Sequence, residues 1–377
     1  MHSKARSTTN EGTAGSARAS IAVPLYPWDV DEDAVFADRV AALGVDRVAI
    51  AAVYHAVTAI TPHGSGSRLH HEPTSAVYLD GIDSLPRGGG SFVEAARRLR
   101  ERGLPVDAWI VVGHLDGARP DLKRVTAATG DVLPHAPCLT DPVVGDEMAR
   151  LVAAVVDRAE ADGLLLEGLS WQRFAHGNIH DKTAGADMSG AVRDLLALCF
   201  CARCRALYAA SGVDAADAAR RVRAGILGGA ADADEVLAQW AEPVRDARRA
   251  SQTAFAERIL DAAHRAGADS DTTIAVGPGE GENLPGGDAI LVDCWGPVET
   301  GLANLAGAPD AAGRRVRAHV DVCGADLVTA DRLADTWSAL LRSADDLLVY
   351  HPGLAAPARL DAVEVAIAHV RTTTRPE

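Results

Sequence analysis

No stretch of this chain approaches the roughly 18 uninterrupted apolar residues that a membrane-spanning helix needs, so no span is expected. Positive charge is also in deficit. The 37 Lys and Arg residues stand against 52 Asp and Glu, a formal net charge of -15, which argues against a nucleic-acid partner because phosphates require a basic face. The expected partner is neutral or cationic. Residues Met1 to Ser20 are rich in Ser, Thr, Ala and Gly and lack an apolar h-region. They read as a mobile tail, residues 1–19, and not as a secretory signal. Two motifs are missing as well. No G-x-G-x-x-G follows the first predicted strand, which removes the glycine signature of a doubly wound dinucleotide fold. No H-x-H lies on that strand either, which counts against a metal-dependent amidohydrolase barrel.

Hydrophobic residues make up 48% of the 377-residue chain and charged residues 24%, enough apolar material for one large core. Short apolar runs alternate with helical patterns from residue 20 onward, the sequence form of repeated βα units. Eight strands are expected: Ile21 to Tyr26, Arg47 to Val53, Val106 to Val112, Gly163 to Leu169, Thr272 to Val276, Ala289 to Asp293, Val316 to Val320 and Asp346 to Tyr350. Helices such as Asp31 to Leu43, Phe92 to Arg102, Val143 to Ala161 and Ala330 to Arg342 lie between them, with apolar residues three or four apart. Gly44, Gly103, Gly163 and Gly267 stand where helix C-caps belong. The expectation is an α/β protein, a single (β/α)8 TIM barrel over residues 20–377. Three departures are expected: a long loop, Ala56 to Gly90, over the mouth; a helical insertion after strand four, about residues 188–267; and an irregular fifth βα unit, because Gly277 to Gly287 is too short and Gly-rich for a full helix.

Three of the six cysteines fall in Cys199-Phe200-Cys201-Ala202-Arg203-Cys204. This spacing supplies three thiolates to one tetrahedral zinc ion, a structural cofactor whose fourth ligand must come from elsewhere. Cys138 is the choice, since Cys294 and Cys323 sit in or beside apolar runs that read as strands. Thiolate metal ligands also suit a reducing compartment, and the cytoplasm is expected.

Barrel chemistry collects at the C-terminal ends of strands. Those ends carry Tyr26, Trp28 and Asp29; Tyr54 and His55; His114; Glu167 and Trp171; Asp293 and Trp295; His319 and Asp321; Tyr350 and His351. Aromatic faces and hydrogen-bonding groups in this number suit a sugar, a small carbohydrate or an oligosaccharide. Glycoside cleavage needs two carboxyl groups. Glu167 is the expected acid, because its apolar strand would raise its pKa; Asp293 and Asp321 compete for the second role, with Asp293 favoured for its open strand end. His176, His180 and Lys182, in the loop after Trp171, are expected to line the cleft. A metal pair there is disfavoured by Gly177, Asn178 and the missing H-E-x-x-H glutamate. His70 and His71 are expected to be solvated.

The segment Cys199 to Tyr208 resembles the C-Y-C-x-x-C-x-x-x-F stretch of glycoside hydrolase family 42 beta-galactosidases, and Cys138 followed by Pro142 resembles their upstream C-P-x-x-P cysteine. The resemblance runs from about Cys138 to Tyr208 and elsewhere amounts to barrel order. It implies a structural zinc beside the active-site mouth and an acid carboxylate ending strand four, where Glu167 stands, though Leu166 replaces the family's Asn. The family's strand-seven glutamate has no counterpart; His319 and Asp321 are there instead. The chain is also similar to uncharacterised alanine-rich actinobacterial proteins sharing its Y-P-W-D-V, Y-H and H-D-K patterns, which supply no activity. A glycoside-hydrolase-like enzyme is the leading expectation. The alternatives are a metal-dependent lyase, isomerase or hydrolase using His55, His114, His319, His351 and Asp293 as ligands, and a non-catalytic carbohydrate-binding barrel.

Overall fold

The computed structural model describes residues 18–31, 33–63, 69–172, 174, 185–186, 188–268, 271–276, 284–308, 313–324 and 329–373. The tail 1–17 lies outside them, as do His176, His180, Lys182 and residues 277–283 of the fifth connection. Eight parallel strands close on themselves: Ile21–Leu25, Arg47–Tyr54, Val106–Val111, Gly163–Glu167, Thr272–Val276, Ala289–Asp293, Arg315–Asp321 and Asp346–Tyr350. Closure is explicit in the register, since the first strand pairs with the second through Ala22↔Arg47 and with the eighth through Ile21↔Leu347. The expected barrel is therefore present, and its strands are nearly continuous apolar runs because helices cover the outer face and side chains fill the inner one. The observed ends fall within two residues of the expected ones.

Local chemistry starts the helices where apolar periodicity predicts them. Asp33 caps Ala34–Ala42 through the Phe36 amide, Ser91 caps Phe92–Arg100 through Glu94, and Asp141 caps Pro142–Ala159 through Val143, with Pro142 in the first turn. Gly44, Gly103 and Gly267 have φ of 78°, 78° and 101°, the left-handed conformation that ends a helix. Gly163 does not: it is the first residue of the fourth strand, and Glu160 ends the preceding helix at φ 46°. A Cβ on Gly163 would sit 2.6 Å from Asp107 Oδ1, so its role is close packing at the barrel floor.

After the fourth strand come helices Gly190–Leu196, Ala202–Ala210, Ala215–Leu227, Ala233–Leu237 and Ala241–Arg265. The last packs along Pro142–Ala159 and closes the helical ring, so it is the barrel's own fourth helix. The described residues between Leu284 and the sixth strand form no helix, and the rest of the expected irregular connection, residues 277–283, lies outside the described residues. The loop Ala56 to Gly90 holds a hairpin, Val57–Ile60 with Leu69–Glu72, and a short strand, Ala76–Val77, antiparallel to the end of the second strand. His70 is not simply solvated: its ring stacks on Trp28 with centroids 5.2 Å apart. Among the described residues, no helix is long and apolar enough to cross a membrane.

The barrel floor is closed by ions. Arg317, 7% exposed, reaches Asp271 Oδ1 at 2.9 Å and Asp346 Oδ2 at 3.4 Å, and donates to Thr273. Arg47 pairs with Asp107 at 2.7 Å and with Asp271. Burial pushes the Asp107 carboxyl up, against the pull of Arg47 and Arg317. Removing one partner of such a network leaves buried charge uncompensated, so Arg317→Ala is expected to cost about 3–5 kcal/mol in denaturant unfolding. A loss below about 1 kcal/mol would show that water enters the floor and screens it.

Candidate active site

At the opposite end a cavity of about 210 Å³ opens between the tips of the strands, lined by Glu167, Asp293, His319, Tyr350 and Trp109 above a floor of Pro24, Leu165, Leu291 and Leu348. Glu167 ends the fourth strand because Gly168 turns the chain there at φ 78°. A Cβ on Gly168 would lie 2.7 Å from the Gly113 amide nitrogen, so the loops after the third and fourth strands meet backbone to backbone.

The Trp109 indole N–H donates to Glu167 Oε2 at 2.9 Å. Burial holds the Glu167 carboxyl above its usual range, and this hydrogen bond pulls it partly back. Asp293 ends the sixth strand and accepts the Trp295 amide on Oδ1 at 3.0 Å. Its carboxyl is also raised, first by burial and then by the charge of Asp321, while the amide opposes both. His319 is partly buried, its Nε2 finds no hydrogen-bond partner, and desolvation drives its pKa down to about 4. Neutral imidazole therefore faces the two carboxyls at neutral pH. Trp295, 41% exposed, stands beside them with its ring 5.1 Å from that of Tyr350 and 5.3 Å from that of His319.

Behind the cavity wall the aromatic residues pack on one another. Tyr26 stacks between Trp28 and His351, each centroid 4.5 Å away, meets Tyr54 edge-on at 5.0 Å, and has its hydroxyl 3.4 Å from that of Tyr350. Asp29 and His351, expected among the substrate contacts, are buried beneath this stack with Asp29 Oδ2 4.0 Å from His351 Nε2. Burial raises Asp29 to about 8 and lowers His351 to about 3, so both are uncharged at neutral pH. A Cβ on Gly353 would overlap Asp29 Oδ2 at 2.2 Å, which shows how tightly the chain closes over them.

Trp171 is 3% exposed and turned to the fourth helix, where Arg248 lies 4.7 Å over its ring and the Arg248 carbonyl takes its N–H at 3.2 Å. Asp321 caps the Cys323 amide through Oδ1 at 2.7 Å and is not among the cavity-lining residues. The histidines proposed as one ligand set are divided. His319 shares the cavity with Asp293, His351 lies with Asp29, and His55 and His114 stack on each other at 4.5 Å beside Asp116. That five-residue metal centre is not assembled among the described residues.

Sequence reasoning missed Trp109. A tryptophan inside the apolar run Val106–Val111 reads as core, yet it pairs with Leu165, which lines the same cavity as Glu167. The available signal was its inward parity, two residues before the strand end.

Outside the barrel wall the four cysteines meet. Cys138 Sγ lies 3.8, 3.8 and 3.7 Å from the sulfurs of Cys199, Cys201 and Cys204, all of them buried. Four sulfurs placed tetrahedrally about 2.3 Å from a central ion would be about 3.8 Å apart. The knuckle is pinned to the hairpin Arg124–Thr126/Val132–Pro137: the Phe200 amide donates to Thr126 O at 2.7 Å, and the Thr126 amide points to Cys199 Sγ at 3.4 Å.

No protein-family model and no curated protein matches the chain. Solved structures do. The glycoside hydrolase domain of PgaB (BpsB) from Bordetella bronchiseptica aligns over 96% of this chain and 100% of its own at a TM-score of 0.60 and 14% identity. Alpha-L-fucosidase isoenzyme 2 from Paenibacillus thiaminolyticus aligns over 94% of this chain and 49% of its own, TM-score 0.53, 15% identity. The beta-galactosidase of the psychrophilic Marinomonas ef1 aligns over 94% and 60%, TM-score 0.54, 12% identity. The chain thus spans about half of the two longer enzymes. At these identities the likeness establishes the fold, a barrel of the kind glycoside hydrolases use.

Proposed function

We propose that the protein is a glycosidase whose acid is Glu167 and whose second carboxylate is Asp293. The observation that carries this reading is that both carboxyl groups line one cavity at the C-terminal mouth of a glycoside-hydrolase-like barrel, with His319, Tyr350 and the exposed Trp295 around them. Glu167, whose carboxyl burial holds above its usual range, donates its proton to the leaving glycosidic oxygen. The Trp109 indole occupies Oε2, so Oε1 is the oxygen available to substrate. Asp293, whose Oδ1 accepts the Trp295 amide, acts on the anomeric carbon as nucleophile or through a water as base. The supporting contrast is Asp321, which caps its own turn as Asp293 does but is not among the cavity-lining residues. His319 hydrogen-bonds a sugar hydroxyl as a neutral imidazole, and Trp295 offers its face to the ring's C–H surface.

Among the described residues no lysine or arginine lines the cavity, which favours a neutral or cationic carbohydrate as the proposed substrate. Zinc on Cys138, Cys199, Cys201 and Cys204 is proposed as a structural ion: the sulfur spacings fit it, and four thiolates leave no position for substrate. Unpaired thiols in this number suit a reducing compartment such as the cytoplasm.

The test is a panel of aryl glycosides, each scored for released aglycone. Turnover of at least one glycoside by the wild type, and its loss by about 100-fold or more in Asp293→Asn with circular dichroism unchanged, is the expected result. Sugar binding without turnover across the panel would replace hydrolysis by a carbohydrate-binding role.

A further inference from the structure

A second group of metal-ligand side chains sits at the barrel mouth, apart from the cavity and from the cysteines. His55 follows the second strand, and His114 and Asp116 follow the third. One ligand atom from each lies within 4.8 Å of the others; His114 Nε2 is 2.9 Å from Asp116 Oδ2, and the two imidazole centroids are 4.5 Å apart. None of these residues lines the cavity, and the proposed hydrolysis does not use them.

We propose that His55, His114 and Asp116 bind a divalent transition ion of the zinc class, independently of the cysteine cluster. The ligand set is two imidazoles and a carboxylate, which suits borderline ions and supplies only three protein ligands, leaving positions for water. The tautomer of His55 fits. Its Nδ1 is 2.8 Å from the Ala56 carbonyl, which can only accept, so Nδ1 carries the proton and Nε2 keeps its lone pair. A ring proton held by a backbone carbonyl is the usual outer support of a metal-binding histidine.

Asp116 is held from both sides: its carboxylate accepts the Ala56 amide at 3.3 Å, and its own amide donates to the buried Ser75 hydroxyl at 2.8 Å. Ser75 in turn donates to the His114 carbonyl at 3.3 Å, so one hydroxyl links the backbones of two ligands. The Asp116 side chain is 29% exposed, which leaves an ion a path in from solvent. Two neutral imidazoles and one carboxylate carry a single negative charge, which a dication would offset. Coordination through His114 Nε2 would shift that ring's proton to Nδ1, leaving the imidazole neutral.

Cobalt(II) separates this site from the cysteines, because thiolate ligation gives intense near-ultraviolet charge-transfer bands and nitrogen–oxygen ligation gives only weak visible bands. The metal-free full-length protein is expected to take up one equivalent with thiolate bands and a further equivalent without them. Asp116→Asn and His55→Gln should weaken the second equivalent by about 100-fold or more and leave the first intact, whereas Cys138→Ser should do the reverse. Ser75→Ala, which keeps all three ligands, should weaken the second by about 10–100-fold, so the proposal stays testable if a ligand variant does not fold. Uptake that stops at the thiolate equivalent, or a second equivalent unchanged in folded His55→Gln and Asp116→Asn, would overturn it.

Discussion

Glu167→Gln is expected to remain folded and to lose about 10²–10⁴-fold in glycoside turnover, the range for removing a positioned general acid. Glutamine fills the same volume and can still receive the Trp109 indole N–H on its carbonyl oxygen, so the barrel should not register the change. The deficit should grow with the basicity of the leaving group, because an alkyl alcohol needs the proton that an activated phenol does not. It should also be visible in the pH profile. A general acid works only when protonated, so wild-type activity is lost as pH rises through the Glu167 pKa, and burial places that limb above the ordinary glutamate range. Trp109→Phe removes the hydrogen bond that pulls the pKa down and should carry the limb to still higher pH. Undiminished turnover by Glu167→Gln on alkyl glycosides would remove Glu167 from the chemistry.

Stripping metal from the cysteine cluster, or replacing Cys138 with Ser, should produce the largest stability change outside the barrel floor. The four sulfurs join two separate pieces of chain: the turn before Pro142–Ala159, and the Cys199 knuckle as it runs into Ala202–Ala210. An ion bound only by the folded form stabilises it by about 4 kcal/mol when free metal exceeds its dissociation constant 1,000-fold. The melting temperature should therefore rise with zinc and fall with chelator, and protease cleavage after metal removal should begin between residues 188 and 237, where helices pack beyond the barrel ring. Cys294→Ser, distant from the cluster, is the control. A melting temperature indifferent to zinc, chelator and Cys138→Ser would mean the cysteines are packing residues, as small hydrophobes often are.

How much of this was legible beforehand depends on the range of the forces involved. The eight strands and their helices follow from local periodicity, caps and glycines, and they appear where those signals lie. Gly163 marks the limit of such reading: a glycine near a helix end looks like a cap, but its place was set by Asp107 on a neighbouring strand, 2.6 Å from where its Cβ would be. The cysteine spacing was equally legible, since three ligands within one six-residue stretch need no tertiary information to be near one another. Cys138, 61 residues upstream of Cys199, was assigned by elimination, and the fold brings its sulfur to the others.

At the mouth, strand-end position identified Glu167, Asp293, His319 and Tyr350 but also Asp29, His351 and Trp171, which the fold buries against other groups. Position along the chain says which end of the barrel a side chain occupies; it does not say whether a neighbouring loop or helix covers it. Sequence alone therefore determined the βα alternation and the pool of chemical groups at one rim, because these depend on contacts a few residues apart. Tertiary structure alone decided which carboxylates share a cavity, that Trp109 holds Glu167, and that His55 and His114 turn to Asp116 and away from His319. Those pairings join residues dozens to hundreds of positions apart, and only barrel closure fixes their distances.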